Sequence, residues 1–89
     1  MENTQELFRF TMNLLESKGI HHESTMFDSG AIMIDVWHNG KFYVIQFDTD
    51  GFIGFSEVNE NIGFDCNPDE KFYDSTKYKH KLNSIIVNE

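Results

Sequence analysis

Cysteine, proline and long apolar runs are scarce in this chain of 89 residues. The single cysteine, Cys66, excludes an internal disulfide framework, because a disulfide needs two thiols. The longest apolar runs fall far short of the roughly 20 residues that span a bilayer. Glu2 and Glu6 stand where a secretory leader would carry positive charge. We therefore expect a cytoplasmic protein with a reduced Cys66 and no membrane association.

Basic residues are also few, with seven Lys and Arg against 15 Asp and Glu and a formal net charge of −8. Residues 1–70 hold 13 of the acids and only three basic residues, whereas residues 71–89 hold four lysines and two acids. Direct binding to nucleic acid or to an anionic membrane is disfavoured, because phosphate would be repelled. An acidic surface attracts basic partners, although charge that serves only solubility is the alternative.

The common signatures of catalysis and of metal binding are missing. The chain contains no G-x-S-x-G, no P-loop and no G-x-G-x-x-G. Its histidines lack the spacing of a zinc site, and Cys66 has no second thiol nearby in sequence. We therefore predict a protein that is not an enzyme, with no catalytic residues, no cofactor and no metal.

One segment imitates a calcium loop. With Gln46 at position 1, Asp48, Asp50, Gly51 and Glu57 fall at EF-hand positions 3, 5, 6 and 12. Position 1 normally requires Asp, however, and the flanking residues alternate like strands. A hairpin turn that uses Asp and Gly for backbone reasons is the simpler interpretation. A small calcium-binding regulatory domain stays open as an alternative.

Aromatic residues, in contrast, are abundant. Nine Phe, three Tyr and one Trp can supply a core, since each aromatic side chain buries about 150–250 Å². The length leaves room for one core, so we expect a single domain over residues 1–89.

Helical spacing marks both ends of the chain. Asn3 followed by Glu6 is typical of a helix N-cap, and Gly19 is placed to end that helix, which we predict over residues 4–18. Asp74 or Ser75 can cap a closing helix. The stripe of the first helix comprises Leu7, Thr11, Leu14, Leu15 and Lys18; that of the second comprises Tyr78, Leu82, Ile85 and Ile86.

A β-hairpin is the clearest signal in the middle of the chain. Asn39-Gly40 lies between two apolar runs and predicts a two-residue type I′ turn. The turn fixes the register and with it the two sheet faces. The core face would carry Ile32, Ile34, Val36, Tyr43, Ile45 and Phe47. The outer face would carry Met33, Asp35, Trp37, Phe42, Val44 and Gln46.

A three-residue loop over residues 49–51, with Gly51 in a left-handed conformation, would place Ile53 and Phe55 on the core face. Residues 21–27 and 71–73 are candidates for further strands, and residues 59–69 are expected to form an irregular loop. The predicted fold is α+β: an N-terminal helix, an antiparallel three- to four-stranded β-meander and a C-terminal helix, with both helices packed on one sheet face.

This arrangement resembles the small immunity proteins of bacterial toxin–immunity systems of the contact-dependent inhibition type. The resemblance is carried by Gly40–Phe47, by Asp50–Phe55 and by the acidic stretch that runs to Glu70. It implies a protein, monomeric or homodimeric, that binds a basic toxin domain, often a nuclease. A phage-encoded nucleic-acid mimic that inhibits a host defence complex is the alternative for the same acidic surface.

The predicted partner-binding surface combines apolar anchors with acids. Trp37 and Phe42 should lie opposite each other on the outer face, with Asp35 and Glu57 beside them, and have the make-up of an interface hot spot. Coverage of this face by another segment or by a second copy is the competing expectation. The acids assigned to the surface are Asp48, Asp50, Glu57, Glu60, Asp65, Asp69 and Glu70.

Overall fold

A computed structural model describes residues 4–49, 51–58 and 70–86 of the chain. Its elements, in order, are α1 (Thr4–Ser17), β1 (His21–Met26), β2 (Ile32–His38), β3 (Lys41–Phe47), β4 (Ile53–Val58), β5 (Glu70–Phe72) and α2 (Ser75–Ile86). The strands form one antiparallel sheet in the order β1-β2-β3-β4-β5. The predicted α+β fold is confirmed, but the sheet has five strands instead of three to four.

Helix α1 ends at a glycine for a reason that is visible in the backbone. Gly19 has φ = 67°, a left-handed conformation that side chains with a Cβ rarely adopt. The N–H of Ile20 donates to the carbonyl of Leu15 at 3.0 Å, and the N–H of Gly19 donates to that of Glu16 at 3.2 Å. These two bonds form a Schellman motif, so the predicted helix end is confirmed. The predicted N-cap, Asn3, lies outside the described residues.

The β2–β3 hairpin has the predicted turn. Asn39 and Gly40 have φ angles of 53° and 75°, and type I′ requires positive φ at both central residues. The register that follows pairs Val36 with Tyr43, Ile34 with Ile45, and Ile32 with Phe47.

The predicted three-residue loop between β3 and β4 is also present. The N–H of Asp48 donates to the carbonyl of Phe52 at 3.1 Å, and the N–H of Gly51 donates to that of Asp48 at 3.3 Å. Gly51 has φ = 90°, as the prediction required. Consequently Ile53 lies opposite Phe47, on the core face.

Both candidate edge strands exist. Strand β1 occupies most of residues 21–27, and β5 begins one residue before the predicted segment 71–73. Helix α2 starts after Asp74, whose Oδ1 accepts a hydrogen bond from the N–H of Thr76 at 2.9 Å. The predicted irregular loop, residues 59–69, lies outside the described residues.

Both helices pack on the core face of the sheet. Phe47 in β3 makes edge contacts with Phe8 of α1 and with Tyr78 of α2, at ring-centroid distances of 5.7 and 6.0 Å. Neither described helix is long and apolar enough to cross a membrane. The buried cluster comprises Leu7, Leu15, Ile20, Ile34, Val36, Tyr43, Ile45, Phe47, Ile53, Phe55, Tyr78, Leu82 and Ile86.

Candidate functional site

A row of aromatic side chains crosses the outer face of the sheet. Trp37 lies between His21 of β1 and Phe42 of β3 in the strand register. The ring centroids of His21 and Trp37 are 4.6 Å apart, and those of Trp37 and Phe42 are 5.1 Å apart with nearly parallel planes. We call these three residues the aromatic row. Trp37 remains 39% exposed, so the row offers apolar surface to a partner.

Two carboxylates lie one step along the strands from the aromatic row. Glu23 of β1 is directly opposite Asp35 of β2 on the outer face. Neither forms an ion pair with a residue in the described part of the chain. Partial burial, and then repulsion from Glu23, raise the pKa of the Asp35 carboxyl above its ordinary value. A cation placed between these two groups would relieve that repulsion.

The outer face is not open everywhere. Val44 and Ser56, paired across β3 and β4, are only 2% and 4% exposed. His21 and Glu23, in contrast, are exposed, as is Trp37. The accessible parts of this face therefore lie over β1 and β2 and at Lys71 of β5, whereas the sheet centre is buried.

A second aromatic cluster occupies the corner of the sheet at β5. Tyr73 is 65% exposed, and its ring centroid lies 6.0 Å from that of Phe52. The Nζ of Lys71 lies 4.9 Å from the centroid of the Phe52 ring, within cation–π distance. Lys71 is opposite Gly54, on the outer face, and brings a positive charge to this corner.

Glu57, a predicted member of the acidic surface, lies on the core face of the sheet. It is opposite Tyr43, whose side chain belongs to the core. Its Oε1 is 3.9 Å from the Nζ of Lys41, and both side chains are more than half exposed. The structure therefore does not bring Glu57 beside Trp37, because residues at odd positions of β4 point toward the helices.

Glu70 is placed in the same way. It pairs with Phe55 across β4 and β5, and its Oε1 lies 2.8 Å from the Nζ of Lys81 in α2. Two of the predicted acids are thus on the core face, each beside a lysine. Asp48 lies at the end of β3, in the loop already described. Asp50, Glu60, Asp65 and Asp69 lie outside the described residues.

The EF-hand interpretation of this loop conflicts with the fold. Gln46 and Glu57 belong to β3 and β4, whereas an EF-hand loop joins two helices. Across residues 4–49, 51–58 and 70–86, no three His, Cys, Asp or Glu side chains are grouped as metal ligands would be. Asp50 is not among these residues.

Comparisons of this chain with protein-family models, with curated proteins and with solved structures find no match. Sequence reasoning placed Trp37 and Phe42 opposite each other, and their ring stacking follows from that register. It missed His21 and Glu23, because the strand that carries them has no apolar alternation. A signal existed: antiparallel pairing through the turn at residues 27–31 places His21 opposite Trp37.

Proposed function

We propose that this chain is an inhibitor of the immunity-protein kind, which neutralises a basic toxin domain by binding it. The observation that carries the proposal is the exposed aromatic row beside the Glu23–Asp35 pair. The net charge of −8 supports it, since it steers basic partners toward the protein. The Trp37 side chain is the anchor, because Trp is among the residue types enriched at desolvated interface hot spots.

The paired carboxylates specify the chemistry of the partner. Asp35 and Glu23 repel each other in the free protein, and a partner arginine can donate hydrogen bonds to both carboxylates through its planar fork of N–H groups. Toxins that cleave nucleic acid carry such arginines and lysines where phosphate binds. An inhibitor that occupies those positions blocks the substrate.

The nucleic-acid mimic is less favoured by the geometry. Mimicry needs an extended array of unpaired carboxylates, whereas Glu57 and Glu70 are paired with Lys41 and Lys81 on the core face. Glu23 and Asp35, in contrast, form a single pair of neighbouring carboxylates, and they lie next to the aromatic row. This combination is typical of a protein interface.

Titration calorimetry against the protein that the neighbouring gene encodes tests the proposal. We expect Trp37→Ala to weaken binding by about 2 kcal/mol or more, which is roughly 30-fold in Kd. The double variant Glu23→Gln/Asp35→Asn should slow association and flatten the dependence of Kd on salt. The matched control is Glu57→Gln/Glu70→Gln, which removes the same charge from the core face and should change the Kd by less than about threefold.

The proposal is wrong if the neighbouring product does not bind. It is also wrong if the control variant weakens binding as much as the Glu23/Asp35 variant does, because net charge alone would then explain the affinity. Capture of a multi-subunit defence complex by the purified protein would favour the nucleic-acid mimic instead.

A further inference from the structure

Strand β1 forms one edge of the sheet in the described part of the chain. The N–H of Phe27 donates to the carbonyl of Ala31 at 2.9 Å, which shows that Phe27 directs its backbone groups toward β2. Because hydrogen-bonding direction alternates along a strand, the backbone groups of His22, Ser24 and Met26 point away from the sheet. Within the described part of the chain nothing pairs with them, and five of the six side chains of β1 are exposed.

Most of the usual protections of an edge strand are missing from β1 in the described part of the chain. Natural sheets protect their edges by short strands, charged side chains and lysine above all, prolines, bulges or a covering helix or loop. The one Asp or Glu of β1 is Glu23. Strand β5, at the other edge, has only three residues and includes Lys71. Strand β1 has six residues, no Lys, Arg or Pro, and an uninterrupted register with β2. At its end, Met26 and Phe27 are 73% and 45% exposed.

We propose that β1 pairs with β1 of a second copy of this chain, antiparallel and about a two-fold axis at Ser24. In this register Ser24 lies opposite Ser24 of the second copy, and His22 lies opposite Met26. Every outward N–H and C=O of these three residues then forms a hydrogen bond across the axis. The two sheets join into one continuous ten-stranded sheet.

The side chains favour a second copy as the occupant. In this register each exposed Met26 lies beside His22 of the second copy. Phe27 falls opposite His21 of the second copy, so the aromatic row of one copy continues to the next. Glu23 falls opposite Thr25, so that like charges are not directly opposed. A single carboxylate per strand leaves little local repulsion, and the net charge of −8 acts mainly over distances that salt screens.

The size of the contact sets its strength. Pairing along six residues buries less than the roughly 1,000 Å² of a stable interface, so the dimer is weak and forms at high protein concentration. Salt should strengthen it, because screening reduces the repulsion between two acidic copies. Binding of a basic toxin should respond to salt in the opposite sense, and the two interactions are thereby distinguishable. This inference does not rest on the proposed function.

Analytical ultracentrifugation over a concentration series, at about 50 and 500 mM salt, tests the dimer in the full chain. We expect the wild type to shift from monomer toward dimer as concentration rises, and more so at high salt. Ser24→Lys should abolish the shift, because it places two lysines opposite each other on the axis. Thr25→Lys, the matched control, adds the same charge one residue away, opposite Glu23, and should retain or strengthen the dimer.

Ser24→Lys makes the chain less acidic. The general repulsion between two copies is then weaker, and this effect alone would favour association of the variant. Loss of its dimer therefore reports on the axis itself. A Ser24→Lys variant that associates as the wild type does would overturn the proposal. So would a wild type that remains monomeric at every concentration and salt.

Amide hydrogen exchange locates the contact. At high concentration the amides of His22, Ser24 and Met26 should become protected, while those of Glu23 and Thr25, already bonded to β2, should be protected at every concentration. In a Cys66→Ser background, Ser24→Cys should form an intermolecular disulfide on mild oxidation, since paired Cα atoms at this position lie about 5.5 Å apart. Protection at β5 instead of β1, or protection of β1 only when a toxin is added, would contradict the second copy as occupant.

Discussion

A buried pair of hydroxyl groups joins the two helices and offers a quantitative test of the core. Thr11 of α1 and Tyr78 of α2 are both fully buried and hydrogen-bonded to each other. The Thr11 hydroxyl also donates to the carbonyl of Leu7 at 2.8 Å. A carbonyl oxygen can only accept, so the one proton of Thr11 is used there. Tyr78 must therefore donate to Thr11.

This polarity makes the two deletions unequal. Tyr78→Phe removes the donor and leaves Thr11 bonded to Leu7, so it should cost about 1 kcal/mol of unfolding free energy. Thr11→Val, of the same shape, leaves the buried tyrosine hydroxyl without an acceptor and should cost about 1–3 kcal/mol. In the double variant no unsatisfied hydroxyl remains. It should therefore be more stable than Thr11→Val alone, with a coupling of about 1 kcal/mol.

Urea denaturation followed by circular dichroism measures these differences. With a slope of about 1 kcal/mol per molar urea for so small a domain, Tyr78→Phe should lower the midpoint by about 1 M. Ser84→Ala is the control, because its hydroxyl makes a similar bond to the carbonyl of Lys81 but is exposed; it should change stability by less than about 0.5 kcal/mol. The reasoning fails if Thr11→Val costs less than Tyr78→Phe, or if the two effects simply add.

Three further predictions concern titration and the backbone. Burial raises the pKa of the hydroxyls of Tyr78 and Tyr43 above their ordinary value, so above pH about 10 the unfolded chain ionises first and stability should fall as the pH rises. For the fully buried Tyr78 the fall should reach about 1.4 kcal/mol per pH unit, and Tyr78→Phe should make it shallower in urea titrations between pH 9 and about 11. The pKa of the Asp35 carboxyl is raised, so the folded state favours its protonated form. This contribution to folding stability is present at low pH and is lost as the pH rises and the carboxyl ionises. Asp35→Asn should therefore stabilise the protein at pH 7 by about 0.2–1 kcal/mol and have no effect below pH about 3, as compared by thermal melts at both pH values. Gly19→Ala should lower the free energy of unfolding by about 1–2 kcal/mol, because alanine disfavours the left-handed backbone of this position. An added Cβ would meet no atom within 4 Å, so the backbone alone accounts for the cost. Gly19→Asn should cost less in the same melts.

The parts of the fold that were predictable are those set by local chemistry. Asn39-Gly40 fixed one hairpin and Gly51 fixed the next, since each turn geometry requires positive φ at these positions. Gly19 ended the first helix for the same reason. Strand β1 was predictable only as a candidate over residues 21–27. It is an edge strand exposed on both faces, so burial imposes no alternation on its residues.

The candidate site was predictable to the extent that it follows from one hairpin. Trp37 and Phe42 face each other because of their shared turn. The acids could not be sorted by charge alone. Glu57 and Glu70 resemble any surface acid in sequence, and only the pleat of β4 and β5 and the approach of Lys81 from α2 assign them to the core face.

The order of the strands has a consequence for how the chain folds during synthesis. Each strand pairs with the one made just before it, so the sheet can grow as the polypeptide leaves the ribosome. Helix α1 is synthesised before α2, but the tyrosine that donates to Thr11 lies in the last described element. The core of the nascent sheet is therefore incomplete until α2 emerges. For that interval, the strand edge and the apolar core face are open to chaperones and to other nascent chains.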